Sequence, residues 1–165
     1  MKLKPLELSY GLPRLFESMD RLDHKSDGVI FTSSVAPYVH GTCDKMLKWK
    51  PSEENSVDFM ILDVQMNQGG GRPKITIGLW KGGREHSEYG HLHLSEEDAA
   101  EFRKHRDKLR GMVVECRYDP FWPETWRFMR FRHDKDKANH ENTYKSIMES
   151  INDNVEKSDV SSSFS

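Results

Sequence analysis

The stretch from Val57 to Lys81, VDFMILDVQMNQGGGRPKITIGLWK, decides the fold. In its first part (57–66) and its last part (74–81), apolar and polar residues alternate as they do in strands with one buried face. The glycine-rich QGGGRP between these parts is typical of a turn. The stretch therefore predicts two neighbouring strands joined by a turn.

Three further strands and a helix are predicted downstream of this hairpin. The strands are YGHLHLS (89–95), GMVVECRYD (111–119) and TWRFMRFR (125–132). The helix begins after Ser95, which with Asp98 fits a capping box, and is predicted to run to about Lys108. The chain thus offers three strands, a helix and two more strands.

This order of elements indicates a mainly β fold. It fits the five-stranded OB barrel, although an α+β sandwich would give a similar pattern. A C-terminal helix is predicted in HENTYKSIMESINDNV (140–155). We expect this helix to pack against the barrel through the apolar residues that recur at helical spacing, Tyr144, Ile147, Met148 and Ile151.

The residues before Val57 form a separate region in this interpretation. A short helix is predicted around 13–21, with Leu15, Met19 and Leu22 on its inner face. A buried strand is predicted in GVIFTSS (28–34) and a short strand in MLKWK (46–50). The polar, acidic PSEENS that follows favours a domain boundary. We therefore predict three segments: the end of a preceding α+β domain (1–56), an OB domain with its C-terminal helix (57–156) and a disordered tail (157–165).

Composition narrows the function classes. No apolar run approaches the roughly 20 residues that a membrane span needs, so no membrane partner is expected. Cys43 and Cys116 have no metal-binding spacing, and we expect reduced thiols in a cytosolic or nuclear protein. The net charge is only −2, yet basic residues outnumber acidic ones in 101–140. This bias indicates contact with phosphates or acidic peptides, with ordinary solvated surfaces as the alternative.

Three short clusters carry residues suited to phosphate chemistry. SDGVIF places Asp27 and Gly28 directly before a buried strand. In MLKWKP, Lys48 and Lys50 lie two apart, so both ammonium groups project from one strand face. The third cluster is WRFMRFRHDKDKAN (126–139), which contains Arg130, Arg132, Asp134 and Lys135.

Together these clusters resemble the C-terminal part of the fungal-type mRNA capping enzyme guanylyltransferase, in its alpha, GTP-binding subunit. This family belongs to the lysine-nucleotidyltransferase superfamily. SDGVIFTSSVAPY is similar to the family's fourth motif and MLKWKP to its fifth. WRFMRFRHDKDKAN carries the Arg-x-Asp-Lys of the sixth motif, which the family places in its OB domain. The resemblance makes 1–56 the C-terminal remnant of a nucleotidyltransferase domain.

Lys25-Ser26-Asp27-Gly28 imitates the family's nucleophile motif, Lys-x-Asp-Gly. In the family that lysine lies far upstream of the LKWK strand, and an arginine follows the motif two places on. Here Lys25 lies only a short distance before Leu47, and position 30 is Ile. The tetrad therefore matches the fourth motif, Lys25 is not expected to be the nucleophile, and no other nucleophile motif is present.

The resemblance implies a role for each matched residue. Asp27 would face a divalent metal, Mg²⁺ or Mn²⁺, and Lys48 and Lys50 would hold the α-phosphate of GTP. The residues of the sixth motif would reach the β- and γ-phosphates when the barrel closes over the nucleotide, namely Arg130, Arg132, Asp134 and Lys135.

The resemblance implies an enzyme that transfers GMP from GTP to the 5′-diphosphate end of nascent RNA in the nucleus. This chain alone is expected to be inactive, contributing phosphate and metal contacts and the OB domain. Implied partners are an RNA triphosphatase subunit and the phosphorylated repeat tail of RNA polymerase II or an elongation factor. The alternative is an OB-fold binding module for RNA or for such tails, with Tyr118, Trp122 and Trp126 as candidate contacts.

Overall fold

The computed structural model describes residues 6–24, 26, 28–41, 43–51, 54–67, 71–153 and 159–160. The chain forms two compact units. The N-terminal unit comprises 1–52 and 153–165, and the sheet unit comprises 53–152. The boundaries predicted from the sequence, after 56 and after 156, remain predictions. No helix among the described residues is long and apolar enough to cross a membrane.

The N-terminal unit contains a helix and a two-stranded antiparallel sheet. A 3-10 turn, Ser9–Gly11, leads into α1 (Leu12–Met19), and β1 (Val29–Thr32) pairs with β2 (Met46–Trp49). Its small core is formed by Leu12, Phe16, Val29 and Val160.

One prediction about this unit changes, and another falls mostly outside the described residues. Leu15 and Met19 do pack against its core, but Leu22, also predicted to face inward, follows the end of α1 and is 44% exposed. The disordered tail predicted at 157–165 lies mostly outside the described residues. Within that segment Val160 is described, and its side chain is buried.

The sheet unit is a five-stranded antiparallel sheet with the order β5-β4-β3-β6-β7. This architecture confirms the mainly β fold, and its strand order is OB-like. The bounds of its strands are β3 (Ser56–Gln65), β4 (Lys74–Gly82), β5 (Glu85–Leu92), β6 (Val113–Tyr118) and β7 (Trp126–Phe131).

The core of the sheet unit follows from the alternation in β3. Val57, Phe59 and Ile61 are fully buried on one face of the strand. Ile75, Ile77 and Leu79 of β4 are buried in the same core. Helix α2 (Glu96–Lys104) contributes Ala99 and Phe102 to this core. In the chain it follows β5 and precedes β6, as predicted. Cys116 is also buried there, and neither cysteine forms a disulfide.

The capping box predicted at the start of α2 is present. The Asp98 backbone N–H donates to Ser95 Oγ at 3.0 Å, and the Ser95 N–H donates back to the Asp98 carboxylate at 3.3 Å. The helix ends at Lys104 rather than near Lys108, because the chain turns at His105.

The two edge strands, β5 and β7, meet through side chains. Trp126 Nε1 of β7 donates to Tyr89 Oη of β5 at 2.9 Å. Tyr89 Oη also lies 3.0 Å from Tyr144 Oη of α3 (Glu141–Asp153). The predicted face of this helix, Tyr144, Ile147, Met148 and Ile151, packs against the core of the sheet.

Strand β5 begins earlier than predicted. The sequence predicted a strand at 89–95, but β5 already begins at Glu85, which pairs with Gly82. Gly82 and Gly83 have positive φ, 123° and 53°, which allows the chain to reverse at once.

Candidate functional site

The strand-end cluster lies where β7 leaves the sheet. It consists of Arg130, Arg132, Asp134 and Lys135 from the predicted motif, with Asp58 of β3 and Glu115 of β6. Arg130 is directly opposite Glu115, and Asp58 is opposite Glu115 on the other side. Three neighbouring strands therefore bring these six side chains to one place.

Asp58 is the centre of this cluster. It is 5% exposed and is the one buried polar or charged side chain among the described residues. Its carboxylate accepts hydrogen bonds from Arg132 Nη1, at 3.2 and 3.3 Å, and from Lys135 Nζ. Burial of a carboxylate costs free energy, and these two cationic partners compensate its charge.

The backbone of the same strand fixes the loop after β7. The Asp58 N–H donates to Asn139 Oδ1, and the Asn139 N–H donates to the Asp58 carbonyl, each at 2.7 Å. The Trp80 N–H of β4 donates to the Asn139 carbonyl at 3.0 Å. Asn139 thus anchors the end of the motif on both β3 and β4.

Arg132 binds two carboxylates at once. Its Nε and Nη2 donate to Asp134 at 2.9 and 2.7 Å, a bidentate pair. This hydrogen bonding lowers the pKa of Asp134 well below its usual range and raises that of Arg132. The Arg132 side chain is only 16% exposed, whereas Asp134 is 65% exposed. Asp134 is therefore the member of the pair that an incoming anion can displace.

Glu115 holds the second arginine. Arg130 Nε donates to its carboxylate at 2.7 Å and Ser56 Oγ donates at 2.9 Å, while Arg132 Nη1 lies 3.7 Å away. Burial raises the pKa of Glu115, but the hydrogen bonds and charges of these neighbours outweigh it and hold the pKa below 4.5. Arg130 remains 65% exposed, with its guanidinium open to solvent on one side.

The cluster combines three cations with three carboxylates. A phosphate group offers the same kind of oxygen acceptors as Asp134 and Glu115 and carries more charge. The arrangement can therefore bind an anion by exchanging the exposed Asp134 carboxylate for phosphate oxygens, while buried Asp58 keeps Arg132 and Lys135 in position.

The remaining predicted site residues belong to the N-terminal unit. Lys48 lies on β2 opposite Ile30, and Lys50 follows the strand. Both side chains are exposed, and Trp49 between them packs against Phe16 of the core at a ring distance of 5.4 Å. Both lysines are therefore accessible to solvent, and their position on one face stays a prediction. The lysines belong to the N-terminal unit and the strand-end cluster to the sheet unit.

The predicted metal ligand, Asp27, lies outside the described residues, as does Lys25. Within the described part of the chain, no group of three His, Cys, Asp or Glu side chains is arranged to hold a metal ion. The metal therefore remains a proposal that rests on the resemblance.

Sequence reasoning missed Asp58 and Glu115. Each alternates with buried apolar neighbours, a pattern typical of a solvent-facing position. Asp58 is buried because Arg132, Lys135 and the Asn139 loop cover it. These partners follow Asp58 by more than seventy residues in the sequence, so no local signal reveals them.

Among the aromatic candidates, Trp126 is buried and Tyr118 packs against it at a ring distance of 5.6 Å. These two residues are part of the core. Trp122 and Tyr118 are both partly exposed.

The strand order of the sheet unit places it in the class of OB-like β domains. Comparison with family models assigns the chain to a particular protein family. The model for the mRNA capping enzyme C-terminal domain matches residues 54–161, and the model for the mRNA capping enzyme catalytic domain matches residues 1–52. The chain belongs to the mRNA capping enzyme family.

Curated relatives agree with this assignment. The mRNA-capping enzyme subunit alpha of Schizosaccharomyces pombe is 39% identical over 96% of this chain and 40% of the relative. The subunit alpha of Saccharomyces cerevisiae is 32% identical over 97% of this chain and 43% of its own length. The mRNA-capping enzyme of Mus musculus is 32% identical over 82% of this chain and 21% of its own length. The chain thus spans less than half the length of these relatives.

Proposed function

We propose that this chain contributes the phosphate-binding C-terminal part of an mRNA guanylyltransferase. Such an enzyme transfers GMP from GTP to the 5′-diphosphate end of nascent RNA. Family membership and the similarity to capping-enzyme alpha subunits support this proposal. The single structural observation that carries it is the strand-end cluster, where two arginines and a lysine of the resembling motif meet on one side of the sheet.

In this reaction an amine attacks the α-phosphate of GTP, a P–N bond forms and pyrophosphate leaves. GMP then passes to a terminal oxygen of the RNA diphosphate. The proposed role of Arg130, Arg132 and Lys135 is to bind the β- and γ-phosphates and to stabilise the charge that develops on pyrophosphate. Asp58 keeps the Arg132 guanidinium from rotating away, so less conformational entropy is lost when phosphate binds.

The same proposal gives a role to the exposed lysines of the N-terminal unit. Lys48 and Lys50 are point charges that suit the oxygens of the α-phosphate. A divalent cation, Mg²⁺ or Mn²⁺, bound by Asp27 would neutralise further phosphate charge.

The remaining expectations from the family are part of the same proposal. Nascent RNA is the acceptor, and capping of nascent transcripts places the protein in the nucleus. An RNA triphosphatase subunit would supply the diphosphate end, and the phosphorylated repeat tail of RNA polymerase II or an elongation factor would recruit the enzyme.

Binding of a dinucleotide with a 5′-triphosphate, compared with the same dinucleotide ending in a 5′-hydroxyl, tests the proposal. The chain should prefer the triphosphate, and Arg130→Ala should weaken that binding by about tenfold, the loss expected for a charge-assisted hydrogen bond. Arg106→Ala is the matched control, because Arg106 is a 71% exposed arginine paired only with its neighbour Asp107 among the described residues. Equal binding of the two dinucleotides, or equal losses in both variants, would rule the proposal out.

A further inference from the structure

A second pair of arginines lies beyond the strand-end cluster on the same face of the sheet. Arg117 follows Glu115 by two residues on β6, with buried Cys116 between them, so both point outward. Arg127 of β7 is directly opposite Arg117. Like charges directly opposite each other on neighbouring strands destabilise a sheet. Among the described residues, no carboxylate lies within ion-pair distance of either arginine, which leaves an unneutralised positive pair.

Arg127 also covers an aromatic ring. Its guanidinium carbon lies 4.7 Å from the centre of the Trp122 ring. Trp122 is fixed in turn, because its Nε1 donates to the His93 carbonyl at 3.1 Å and its ring contacts the His93 ring at 5.4 Å. The result is a rigid pair of planar groups at the edge of the arginine face.

The neighbouring Phe121 is 96% exposed. Its loop is held by its own hydrogen bonds, since the Asp119 N–H donates to the Thr125 carbonyl at 2.8 Å and the Phe121 N–H donates to Asp119 Oδ1 at 3.1 Å. Glu124 and Thr125 adopt positive φ, 63° and 61°, to close the loop. An ordered loop thus presents a bare aromatic ring to solvent, which stabilises nothing in the isolated chain.

These features are continuous with the proposed phosphate site. Arg127 precedes Arg130 by three residues, about 10 Å along a strand. The loop that carries Phe121 and Trp122 joins the fourth and fifth strands of the sheet, and in OB folds this loop contributes to oligonucleotide binding. Aromatic rings beside arginines suit single strands, because bases stack on the rings while the arginines hold the phosphates.

We propose that Arg117, Arg127, Trp122 and Phe121 form a binding face for the single-stranded RNA that follows the 5′ end. This inference rests on the proposed function for the position of the 5′ end. Bases stack on Phe121 and beside Trp122, and the backbone phosphates contact the arginine pair. An acidic phosphopeptide would use the arginines but would gain little from Phe121, so the exposed ring favours RNA.

The test uses a decanucleotide RNA with a 5′-hydroxyl, which lacks the terminal phosphates of the proposed end site. Phe121→Ala should weaken its binding by roughly fivefold or more, while Phe121→Trp should retain it. Arg127→Ala and Arg117→Ala should each weaken binding and reduce the slope of log affinity against log salt by about 0.7. Arg106→Ala should change neither quantity. Phe121 is exposed, so its variants should unfold at the wild-type temperature.

Two results would overturn the inference. One is a Phe121→Ala variant that binds the decanucleotide as tightly as the wild type. The other is an Arg127→Ala variant that loses binding to a phosphoserine peptide but not to RNA.

The dinucleotide triphosphate separates the two proposals, because it should respond to Arg130→Ala and not to Phe121→Ala. Failure of the dinucleotide test alone rejects the proposed function, and failure of the decanucleotide test alone rejects the RNA face.

Discussion

At the scale of single residues, the candidate site depends on one buried carboxylate. Asp58 contacts both Arg132 and Lys135, and its backbone fixes Asn139. The matched motif therefore has a structural role in the sheet unit as well as its proposed role in phosphate binding. The two roles differ in what they require: stability needs the Asp58 contacts, whereas binding needs the exposed Arg130.

Asp58→Asn should destabilise the sheet unit by about 2 kcal/mol, because the buried charge that compensates Arg132 and Lys135 is lost while most of the shape is kept. The control is Asp63→Asn on the same strand, whose partner Arg110 is 74% exposed. A surface pair of this kind contributes little to stability, because solvent screens both charges, so Asp63→Asn should unfold close to the wild-type midpoint. Urea denaturation compares the midpoints of the two variants at constant m-value. Equal losses would mean that Asp58 is no more important than a surface carboxylate.

The depressed pKa values of Glu115 and Asp134 predict a dependence of stability on pH. Their ordinary values are 4.5 and 3.8, and both are lower in the folded chain. The two ionised carboxylates therefore stabilise the folded chain fully at pH values above their ordinary pKa values. This stabilisation is lost as the pH falls through the lower pKa values that they have in the folded chain. The melting temperature should fall on acidification below about pH 4.5, and this fall should be smaller in Glu115→Gln. A melting temperature that is constant from pH 7 to pH 3 would contradict the expectation.

At the scale of elements, the alternating patterns predicted all five strands of the sheet, because one face of each is buried in a common core. Capping chemistry located the start of α2 at Ser95. The sequence did not reveal where β5 begins, since the reversal at Gly82 and Gly83 depends on backbone angles. The sequence also did not place Arg117 opposite Arg127. The register of two strands depends on how they pair in three dimensions, which no single strand's sequence reveals.

Helix α3 provides a prediction at this scale. Ile147 packs against the core of the sheet, so Ile147→Asp should destabilise the sheet unit by about 3 kcal/mol or more through burial of an unpaired charge. Lys145→Asp, on the exposed side of the same helix, is the control and should cost less than about 1 kcal/mol. Thermal unfolding followed by circular dichroism compares the two. Similar losses in both variants would indicate that the helix is not held by its apolar face.

At the scale of the whole molecule, the chain combines cations suited to phosphates in both units. The strand-end cluster belongs to the sheet unit, and Lys48 and Lys50 belong to the N-terminal unit. Family membership assigns both parts to mRNA capping enzymes. We propose that these residues bind the phosphates of the nucleotide, while the amine that attacks GTP is not among them.

Incubation of the chain with GTP labelled at the α-phosphate, in the presence of Mg²⁺ or Mn²⁺, tests this claim most directly. A lysine attacks only when its pKa is lowered and it is held in line with the phosphate, and Lys25, beside His24 and Asp27 in the sequence, has no local feature that favours either condition. We predict that no covalent GMP adduct forms, although the same preparation prefers the triphosphate dinucleotide to its hydroxyl form. An acid-labile, alkali-stable adduct that disappears in Lys25→Ala would contradict the account and would identify Lys25 as the nucleophile.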